Sequence, residues 1–299
     1  MPVPNSHRAL VARCAISEMR SASSAEATRA SSACTAIPRL YSVEAPAARA
    51  TPISNETIVS RDDRSSGLLG AFALAGGVVT GAYAFPALAG VLPSLRPPLG
   101  IADRTLSGRG YGLTFDDGPH SAGTAATLEV LAARGVLATF FLVGEQVARN
   151  PSLAAEIVAA GHAIGLHCDR HRNQLRLSPR AVRADIERGA ARIEETTGRP
   201  IERYRPPYGI FNATALAFVH RRGWRPLLWT HFARDWQARA TPSSIVDRLV
   251  GGSVPEGSVL LLHDADDYSA PGSWRKMVAA LPRVLEQLQA RGLQWTLDV

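Results

Sequence analysis

The chain has 299 residues, 46 % of them hydrophobic and 20 % charged, which suits one or two globular domains and excludes wholesale disorder and collagen-like chains. Its three cysteines (Cys14, Cys34 and Cys168) exclude a disulfide framework and a four-cysteine zinc site, and they leave the redox compartment open. The net charge of +7 rests on scattered arginines, with no basic run interleaved with aromatics, so we expect no nucleic-acid partner.

Residues 1–64 form a polar N-terminal extension. They are rich in Ala, Ser, Arg, Thr and Pro, and their one aromatic residue is Tyr41. Such a segment buries too little apolar surface to offset its ordering entropy, so we predict that it is disordered. Its Arg- and Ser-rich start is typical of a targeting segment, and Met19 leaves open a later start codon.

Residues 65–96 form a hydrophobic segment. Between Arg64 and Arg96 lie 31 consecutive residues without a charge, and residues 68–85 supply 18 apolar or small ones in a row. At the rise of an α-helix, that is near the minimum length that crosses a bilayer core. We therefore predict a membrane anchor or uncleaved signal, with membrane association through residues 67–92 and the C-terminal part anchored or secreted outside the cytoplasm. A buried Gly-rich core segment and a cleaved signal peptide are the alternatives.

The rest of the chain divides into a predicted linker at 97–109, stiffened by Pro97-Pro98, and an alternating region at 110–299. Strands are predicted at 112–115, 138–143, 163–166, 201–204, 226–230, 258–262 and 294–297. Helices are predicted at 122–133, 153–160, 179–196, 213–222, 244–250 and 274–291, with Pro282 either kinking the last one or delaying its start. This alternation predicts a parallel α/β sheet, or a barrel of fewer than eight strands.

Chemically reactive residues follow five of the predicted strands. Because the carboxyl ends of parallel strands meet at one edge, we expect these side chains to form an active site. Polar residues that merely end strands would explain one or two such positions but not five with metal-ligand and acid–base types. In chain order they are Asp116 and Asp117, His167 and His171, Arg205, Asp235, and His263.

Two of these groups suit a metal ion. Asp116 and Asp117 are adjacent carboxylates that point differently at a strand end, so one can ligate a metal while the other holds a proton. His167 and His171 are spaced so that one helical turn would bring both imidazoles to the same side. Two histidines and one carboxylate leave the fourth position of a tetrahedral metal open for water, as in catalytic zinc sites. A plain Asp-Gly-Pro turn and two unrelated surface histidines are the alternatives.

Two further groups suit positioning and proton transfer. Arg205 begins a stiff Arg-Pro-Pro-Tyr-Gly loop, where its guanidinium can orient a carboxylate and Gly209 can admit a ligand closely. His263 ends an apolar strand, a position that suits a general acid near neutral pH. An ordinary loop and a polar strand cap are the alternatives.

The order of these motifs, from residue 110 to 297, resembles the polysaccharide deacetylase family (the NodB-homology domain, carbohydrate esterase family 4). Its Thr-Phe-Asp-Asp-Gly-Pro pattern stands complete at 114–119, and Arg-Pro-Pro-Tyr-Gly stands at 205–209. Asp235-Trp236 and the Leu-x-x-His-Asp of residues 260–264 match as well. Two positions depart: Cys168 replaces the usual Ser or Thr between the two histidines, and Phe232-Ala-Arg lacks an Asp or Ser that many members carry before Asp235.

The resemblance implies a distorted (β/α)7 barrel at 110–299 and metal-dependent removal of N-acetyl groups from an N-acetylglucosamine-containing polysaccharide, peptidoglycan or chitin-like. It implies that zinc, or alternatively cobalt or nickel, is bound by Asp117, His167 and His171. The implied catalytic roles are Asp116 as base held by Arg205, the Tyr208 backbone N–H at the oxyanion, His263 as acid and Asp235 as its tuning partner. The implied substrate contacts are Trp236, Leu261 and Pro207.

Three other functions stay open at this point. The same fold could act on O-acetyl esters of a polysaccharide, or it could bind a glycan without catalysis. The chain could also be a membrane-associated structural or signalling protein.

Overall fold

The computed structural model describes residues 80–299. The predicted disordered extension at 1–64 and the part of the predicted hydrophobic segment up to residue 79 lie outside the described residues. Within residues 80–299, no helix is both long and apolar enough to cross a membrane.

A parallel sheet of seven strands forms the centre of the described chain. The strands are β1 (Tyr111–Asp116), β2 (Thr139–Val143), β3 (Ala163–Cys168), β4 (Arg203–Tyr204), β5 (Arg225–Pro226), β6 (His231–Phe232) and β7 (Ser258–His263). Their order is β5-β4-β3-β2-β1-β7-β6, and every ladder is parallel. Strands β1 and β2 are buried at every position, as expected for parallel strands covered on both faces.

The two edge strands of this sheet are neighbours in the chain, because only residues 227–230 separate β5 from β6. Leu227 N–H donates to the Tyr204 carbonyl, on the side of β4, whereas Thr230 N–H donates to the Val259 carbonyl, on the side of β7. The sheet therefore curls until its two edges meet in one stretch of chain. This architecture matches the predicted distorted (β/α)7 barrel.

The structure has seven strands, as predicted, but two of them differ from the predicted strands. The single strand predicted at 226–230 divides into β5 and β6, since the chain changes neighbours there. The strand predicted at 294–297 is reduced to an isolated bridge between Tyr111 and Trp295. Apolar patterning marks extended backbone, but it does not show which neighbour that backbone pairs with.

Seven α-helices follow the first strand. They are α1 (Gly123–Arg134), α2 (Gly144–Arg149), α3 (Pro151–Ala159), α4 (Pro179–Thr197), α5 (Ala213–Arg221), α6 (Pro242–Val250) and α7 (Ser273–Ala290). Six of them match the predicted helices within two residues at each end. The helix α2 was not predicted, because six residues carry too little apolar periodicity. The helix α7 starts before Pro282 and continues through it, so the predicted late start is wrong.

Side-chain caps mark the starts of the helices α4 and α6. Ser178 accepts a hydrogen bond from the Ala181 N–H at the start of α4, and Pro179 occupies the first helical turn. Thr241 and Ser244 cap each other's backbone at the start of α6, which therefore begins two residues before its predicted start.

Residues 80–96, the described end of the predicted hydrophobic segment, pack against the barrel as short helical turns. The 3-10 turn Phe85–Gly90 buries Pro86 and Ala89. Arg96 is buried and donates hydrogen bonds to the carbonyls of Ala89 and Trp229. This part of the segment is therefore integrated into the folded domain by hydrogen bonds.

Residues 97–109, predicted as a linker, also contact the barrel. Ile101 is buried, and Ala102 forms a parallel bridge with Leu227 at the point where the sheet curls shut. Arg104 bridges Ser258 at the start of β7. The folded unit therefore begins before residue 110.

Candidate active site

The residues predicted to be reactive converge at the carboxyl ends of β1, β3 and β7 and on the loops after β4 and β6. They surround a small open cavity of about 90 Å³. Its walls are formed by Asp116, His167, His171, Tyr208, Gly209, Trp229, Trp236, Leu261 and His263. The curled parallel sheet brings these side chains together from five separate segments of the chain.

Asp117, His167 and His171 form a cluster of potential metal ligands. The Oδ1 atom of Asp117 lies 3.5 Å from Nε2 of His167 and 3.4 Å from Nε2 of His171. These separations match the edge of a tetrahedron around a zinc ion with bonds of about 2.0 to 2.2 Å. Asp117 Oδ1 is buried and receives no hydrogen bond. An unpartnered carboxylate oxygen facing two imidazole nitrogens fits a small divalent cation.

The two histidines reach this arrangement by a sharp turn rather than by the helical turn that their spacing predicted. His167 lies near the end of β3, and His171 follows a bend after Cys168. His167 Nδ1 lies 2.9 Å from the Arg205 carbonyl, which can only accept, so Nδ1 carries the proton. The opposite nitrogen, Nε2, is thereby left free to ligate a metal.

The protonation states of the cluster suit metal binding. Burial lowers the pKa of His171 to about 4, so its imidazole is neutral at pH 7. Burial raises the pKa of Asp117, but the neighbouring imidazoles of His167, His263 and His171 outweigh that effect and lower the pKa to about 2. A neutral imidazole and an ionised carboxylate are the forms that coordinate a cation.

Asp116 is held by a buried arginine. Arg205 is fully buried, and its Nη1 donates to Asp116 Oδ1 at 2.7 Å and to Thr114 Oγ1 at 2.9 Å. Its Nη2 donates to the Leu228 carbonyl at 3.1 Å, and its guanidinium lies 4.1 Å from the ring centre of Phe141. With so many contacts, Arg205 holds one oxygen of Asp116 in a single position at the cavity wall.

His263 is held by the carboxylate of Asp235. Oδ1 of Asp235 lies 3.1 Å from His263 Nδ1, and Oδ2 accepts the His263 backbone N–H at 2.7 Å. Burial lowers the pKa of His263, but the charge of Asp235 and its hydrogen bond outweigh this and raise it to about 9. His263 is therefore protonated at neutral pH, with Nε2 as the nitrogen not engaged by Asp235.

The loop after β4 places Tyr208 beside the metal-ligand cluster. Tyr208 has a left-handed backbone (φ 61°) and an exposed side chain, whose ring centre lies 4.6 Å from that of His171. Pro207 is buried and stiffens the loop. Gly209 lies in the cavity wall, where the absence of a side chain was predicted to admit a ligand closely. A Cβ there would lie 2.6 Å from the ring of Trp229, so the glycine also makes room for that ring.

Trp236 and Leu261 form the apolar part of the cavity wall, as predicted. The Trp236 ring centre lies 5.1 Å from that of His263, at an interplanar angle of 72°. Leu261 is buried in β7, two residues before His263.

Sequence reasoning missed Tyr268, which lies on the loop between β7 and α7. Its ring stacks on His171 with centres 4.5 Å apart and planes 13° apart, and its hydroxyl donates to Glu145 at 2.7 Å. His171 is thus held between Tyr268 and Tyr208. No motif or spacing distinguishes Tyr268 in the sequence, because its contact depends on where the loop after β7 folds.

Two buried aspartates fasten the loop that carries His171. Asp185, on α4, accepts the backbone N–H of Asp169 at 3.1 Å and a hydrogen bond from Arg172 at 2.7 Å. Asp169 accepts in turn from Arg188 at 3.1 Å. Cys168 is fully buried beside them, and burial raises the pKa of its thiol well above its usual range, so it is an inert filler.

A larger cavity of about 370 Å³ lies away from this site, beside the amino end of β3. His162, Arg199, Glu202 and Arg203 contribute its polar wall. It contains none of the predicted site residues.

With this geometry established, the chain can be compared with known proteins. Residues 103–227 match the family model described as polysaccharide deacetylase. The chain is 35 % identical over 187 residues to the chitooligosaccharide deacetylase of Azorhizobium caulinodans, in an alignment that spans 60 % of this chain and 88 % of that protein. The chain belongs to the polysaccharide deacetylase family. The predicted family resemblance is therefore confirmed.

Solved structures of polysaccharide deacetylases share the fold. A peptidoglycan N-acetylglucosamine deacetylase matches with a TM-score of 0.62 and 27 % identity, covering 68 % of this chain and 92 % of that one. A CE4 family pseudoenzyme from Bacillus anthracis matches with a TM-score of 0.56 and 26 % identity, covering 62 % and 63 %. Since the fold is shared by enzymes and a pseudoenzyme, catalytic function has to be argued from the side chains of this family member itself.

Proposed function

We propose that the protein removes N-acetyl groups from an N-acetylglucosamine-containing polysaccharide of the cell envelope, peptidoglycan or chitin-like, by metal-dependent hydrolysis. The observation that carries this proposal is one cavity that combines the ligand cluster around Asp117, an arginine-held carboxylate at Asp116 and a protonated histidine at His263. Attack of water on an amide needs these three groups together: an electrophilic centre, a base and an acid for the leaving amine.

The residues that would hold the metal are Asp117, His167 and His171, with zinc preferred and cobalt or nickel as alternatives. Bound there, a divalent cation supplies Lewis acidity to the acetyl carbonyl and lowers the pKa of a water molecule. The other roles in the proposed hydrolysis belong to side chains and backbone groups of this protein.

Asp116 would act as the general base. Its position at the cavity wall, one residue before a metal ligand, suits removal of a proton from the attacking water. Arg205 holds one carboxylate oxygen at 2.7 Å, which leaves the other for that proton. The new C–O bond then forms on the acetyl carbon, and the negative charge moves to the former carbonyl oxygen.

The backbone N–H of Tyr208 would donate a hydrogen bond to that oxygen. The left-handed conformation of Tyr208 turns the backbone within a loop stiffened by Pro207. A donor held in place before the reaction stabilises the developing charge without reorganisation.

His263 would complete the reaction by protonating the amine as the C–N bond breaks, releasing acetate and a free amino sugar. Asp235 holds Nδ1 and keeps the imidazole charged, so Nε2 is the atom that delivers the proton. Trp236 and Leu261, with Pro207 behind the loop, would enclose the acetyl methyl group.

Membrane association through residues 67–92 and an extracytoplasmic location are part of this proposal. Four of the exposed large hydrophobic side chains in the described residues follow one another closely at the end of that segment, namely Phe85, Leu88, Val91 and Leu92. They continue the uncharged stretch of the sequence. A bilayer surface near the enzyme would favour a cell-envelope polysaccharide as substrate.

The test is acetate release by the zinc-loaded full chain from chitooligosaccharides and from peptidoglycan, beside Asp116→Asn. The variant keeps the shape of the side chain but loses the base, so we expect acetate release to fall by at least about a hundredfold while zinc binding persists. Zinc bound without acetate release from either substrate by the wild-type chain would contradict catalysis, as would equal release by Asp116→Asn.

A further inference from the structure

A row of aromatic side chains leads from the general acid to the outside of the cavity. The ring of Trp236 lies against His263, and the ring of Phe232 lies 6.0 Å from Trp236 with the two planes only 12° apart. Trp229 supports Phe232 from the side, at 6.2 Å and 65°. Nearly parallel, offset rings of this kind form one continuous apolar surface.

Phe232 is a large apolar side chain of which 37 % is exposed. It lies on the short strand β6, where it pairs with Leu261, a residue of the cavity wall. Burial elsewhere would remove this apolar surface from water, so an exposed phenylalanine at the rim of an active site points to a ligand that covers it.

We propose that Phe232 extends the wall formed by Trp236 into a stacking subsite for the pyranose ring next to the reacting sugar. This inference rests on the proposed function and deepens it. The axial C–H groups of a pyranose form an apolar face of about the size of an aromatic ring. Such a face packs on exposed aromatic rings while the hydroxyl groups stay in water.

Arg234 supplies a polar group beside this surface. Its side chain is exposed, and its guanidinium lies 5.7 Å from the ring centre of Phe232. Arg234 takes part in none of the ion pairs of the described residues. Its N–H donors are therefore available to sugar hydroxyls at the edge of the subsite.

The position also explains a departure in the sequence. Directly before Asp235, the stretch Phe232-Ala-Arg lacks the Asp or Ser that many family members carry, and it begins with an aromatic residue. A small polar side chain at 232 would leave Trp236 as the last ring of the row. The aromatic side chain extends the surface by one ring, far enough to reach a second sugar.

The test is the affinity of the full chain for chitotetraose and for N-acetylglucosamine, measured by isothermal titration calorimetry. We expect the chain that keeps Phe232 to bind the tetramer more tightly than the monosaccharide, and Phe232→Ser to lose about tenfold in affinity for the tetramer. Phe232→Leu keeps the apolar volume without the flat ring and should show the same loss, whereas Phe232→Tyr should retain the affinity. Leu106→Ser, at another exposed apolar position (68 % exposed), is the matched control and should leave binding unchanged.

Unchanged tetramer affinity in both Phe232→Ser and Phe232→Leu would overturn the subsite, and so would equal affinity for tetramer and monosaccharide in the chain that keeps Phe232. All titrations are made in the Asp116→Asn background, where binding is read without turnover, so the outcome is independent of the proposed hydrolysis. Absence of acetate release with aromatic-dependent binding would count against the hydrolysis alone.

Discussion

Two histidines of the site, His171 and His263, show how single contacts determine chemistry at the scale of a residue. Both are largely enclosed, with side chains 6 % and 14 % exposed. Burial dominates at His171 and lowers its pKa to about 4. At His263, the carboxylate of Asp235 at 3.1 Å reverses that effect and raises the pKa to about 9. At neutral pH, the imidazole of His171 is therefore neutral and that of His263 is charged.

Replacing Asp235 by Asn should shift the alkaline limb of the activity profile to lower pH. An acid must be protonated, so activity through His263 persists below its pKa and is lost as pH rises through it. Without the Asp235 charge, burial is opposed only by the weaker effects of Asp117 and Asp116, and the alkaline limb should move from near pH 9 toward the ordinary value of 6.5.

The measurement is kcat/KM against pH for the wild-type chain and for Asp235→Asn. Asp247→Asn removes an exposed carboxylate on α6 and serves as the control, with an unchanged profile expected. An alkaline limb that stays in place in Asp235→Asn would show that another group limits activity at high pH.

At the scale of an element, the loop after β3 depends on the helix α4 packed beside it. Asp169 and Arg172 lie on this loop, on either side of His171, and both hydrogen-bond to Asp185 of α4. Gly189 of the same helix has no room for a side chain, because a Cβ would lie 2.8 Å from the Asp169 backbone nitrogen. Close packing and two hydrogen bonds thus orient His171 from a helix that does not itself reach the cavity.

The variant Asp185→Asn should weaken metal binding by about tenfold. The amide of asparagine keeps the shape of the Asp185 side chain. Its NH₂ group, however, is a donor, and it would face the Asp169 N–H or the Arg172 guanidinium, from which the carboxylate oxygens accept hydrogen bonds. The measurement is the zinc dissociation constant by competition with a chelator, with Asp247→Asn as the control. Equal zinc affinity in wild type and Asp185→Asn would mean that the loop holds its shape without α4.

At the scale of the whole molecule, the segment before the barrel belongs to the fold. Arg96 is 7 % exposed, pairs with Asp103 at 2.7 Å and donates to the carbonyls of Ala89 and Trp229. It therefore connects the turns of residues 85–92 to the tryptophan that fills the space beside Gly209. The side chain of Arg96 therefore links the stability of residues 85–92 to the shape of the cavity wall at Trp229.

Replacing Arg96 by Ala should destabilise the domain by about 2 to 3 kcal/mol, because it leaves buried acceptors without donors. For a domain of this size, the melting temperature should fall by roughly 5 to 10 °C. The measurement is thermal unfolding followed by circular dichroism, beside the exposed Arg104→Ala, for which we expect little change. A melting temperature equal to that of the wild type in Arg96→Ala would place residues 80–96 outside the cooperative unit.

The sequence by itself determined which residues gather at the site and which family the chain belongs to. Buried parallel strands appear in the sequence as runs of apolar residues. The residues that directly follow such a run lie at the edge of the sheet where the carboxyl ends of the strands meet. Asp116, His167, Arg205 and His263 were therefore predictable from their positions after strands. The barrel was predictable from the alternation of strands and helices.

Only the tertiary structure decided how those residues act on one another. The stacking of Tyr268 on His171 and the occupation of the space beside Gly209 by Trp229 each join separate segments of the chain. The same holds for the division of the strand predicted at 226–230 between two edges of the sheet. Residue type and local spacing do not predict such contacts, because the contacts form only when the sheet curls and its loops pack together.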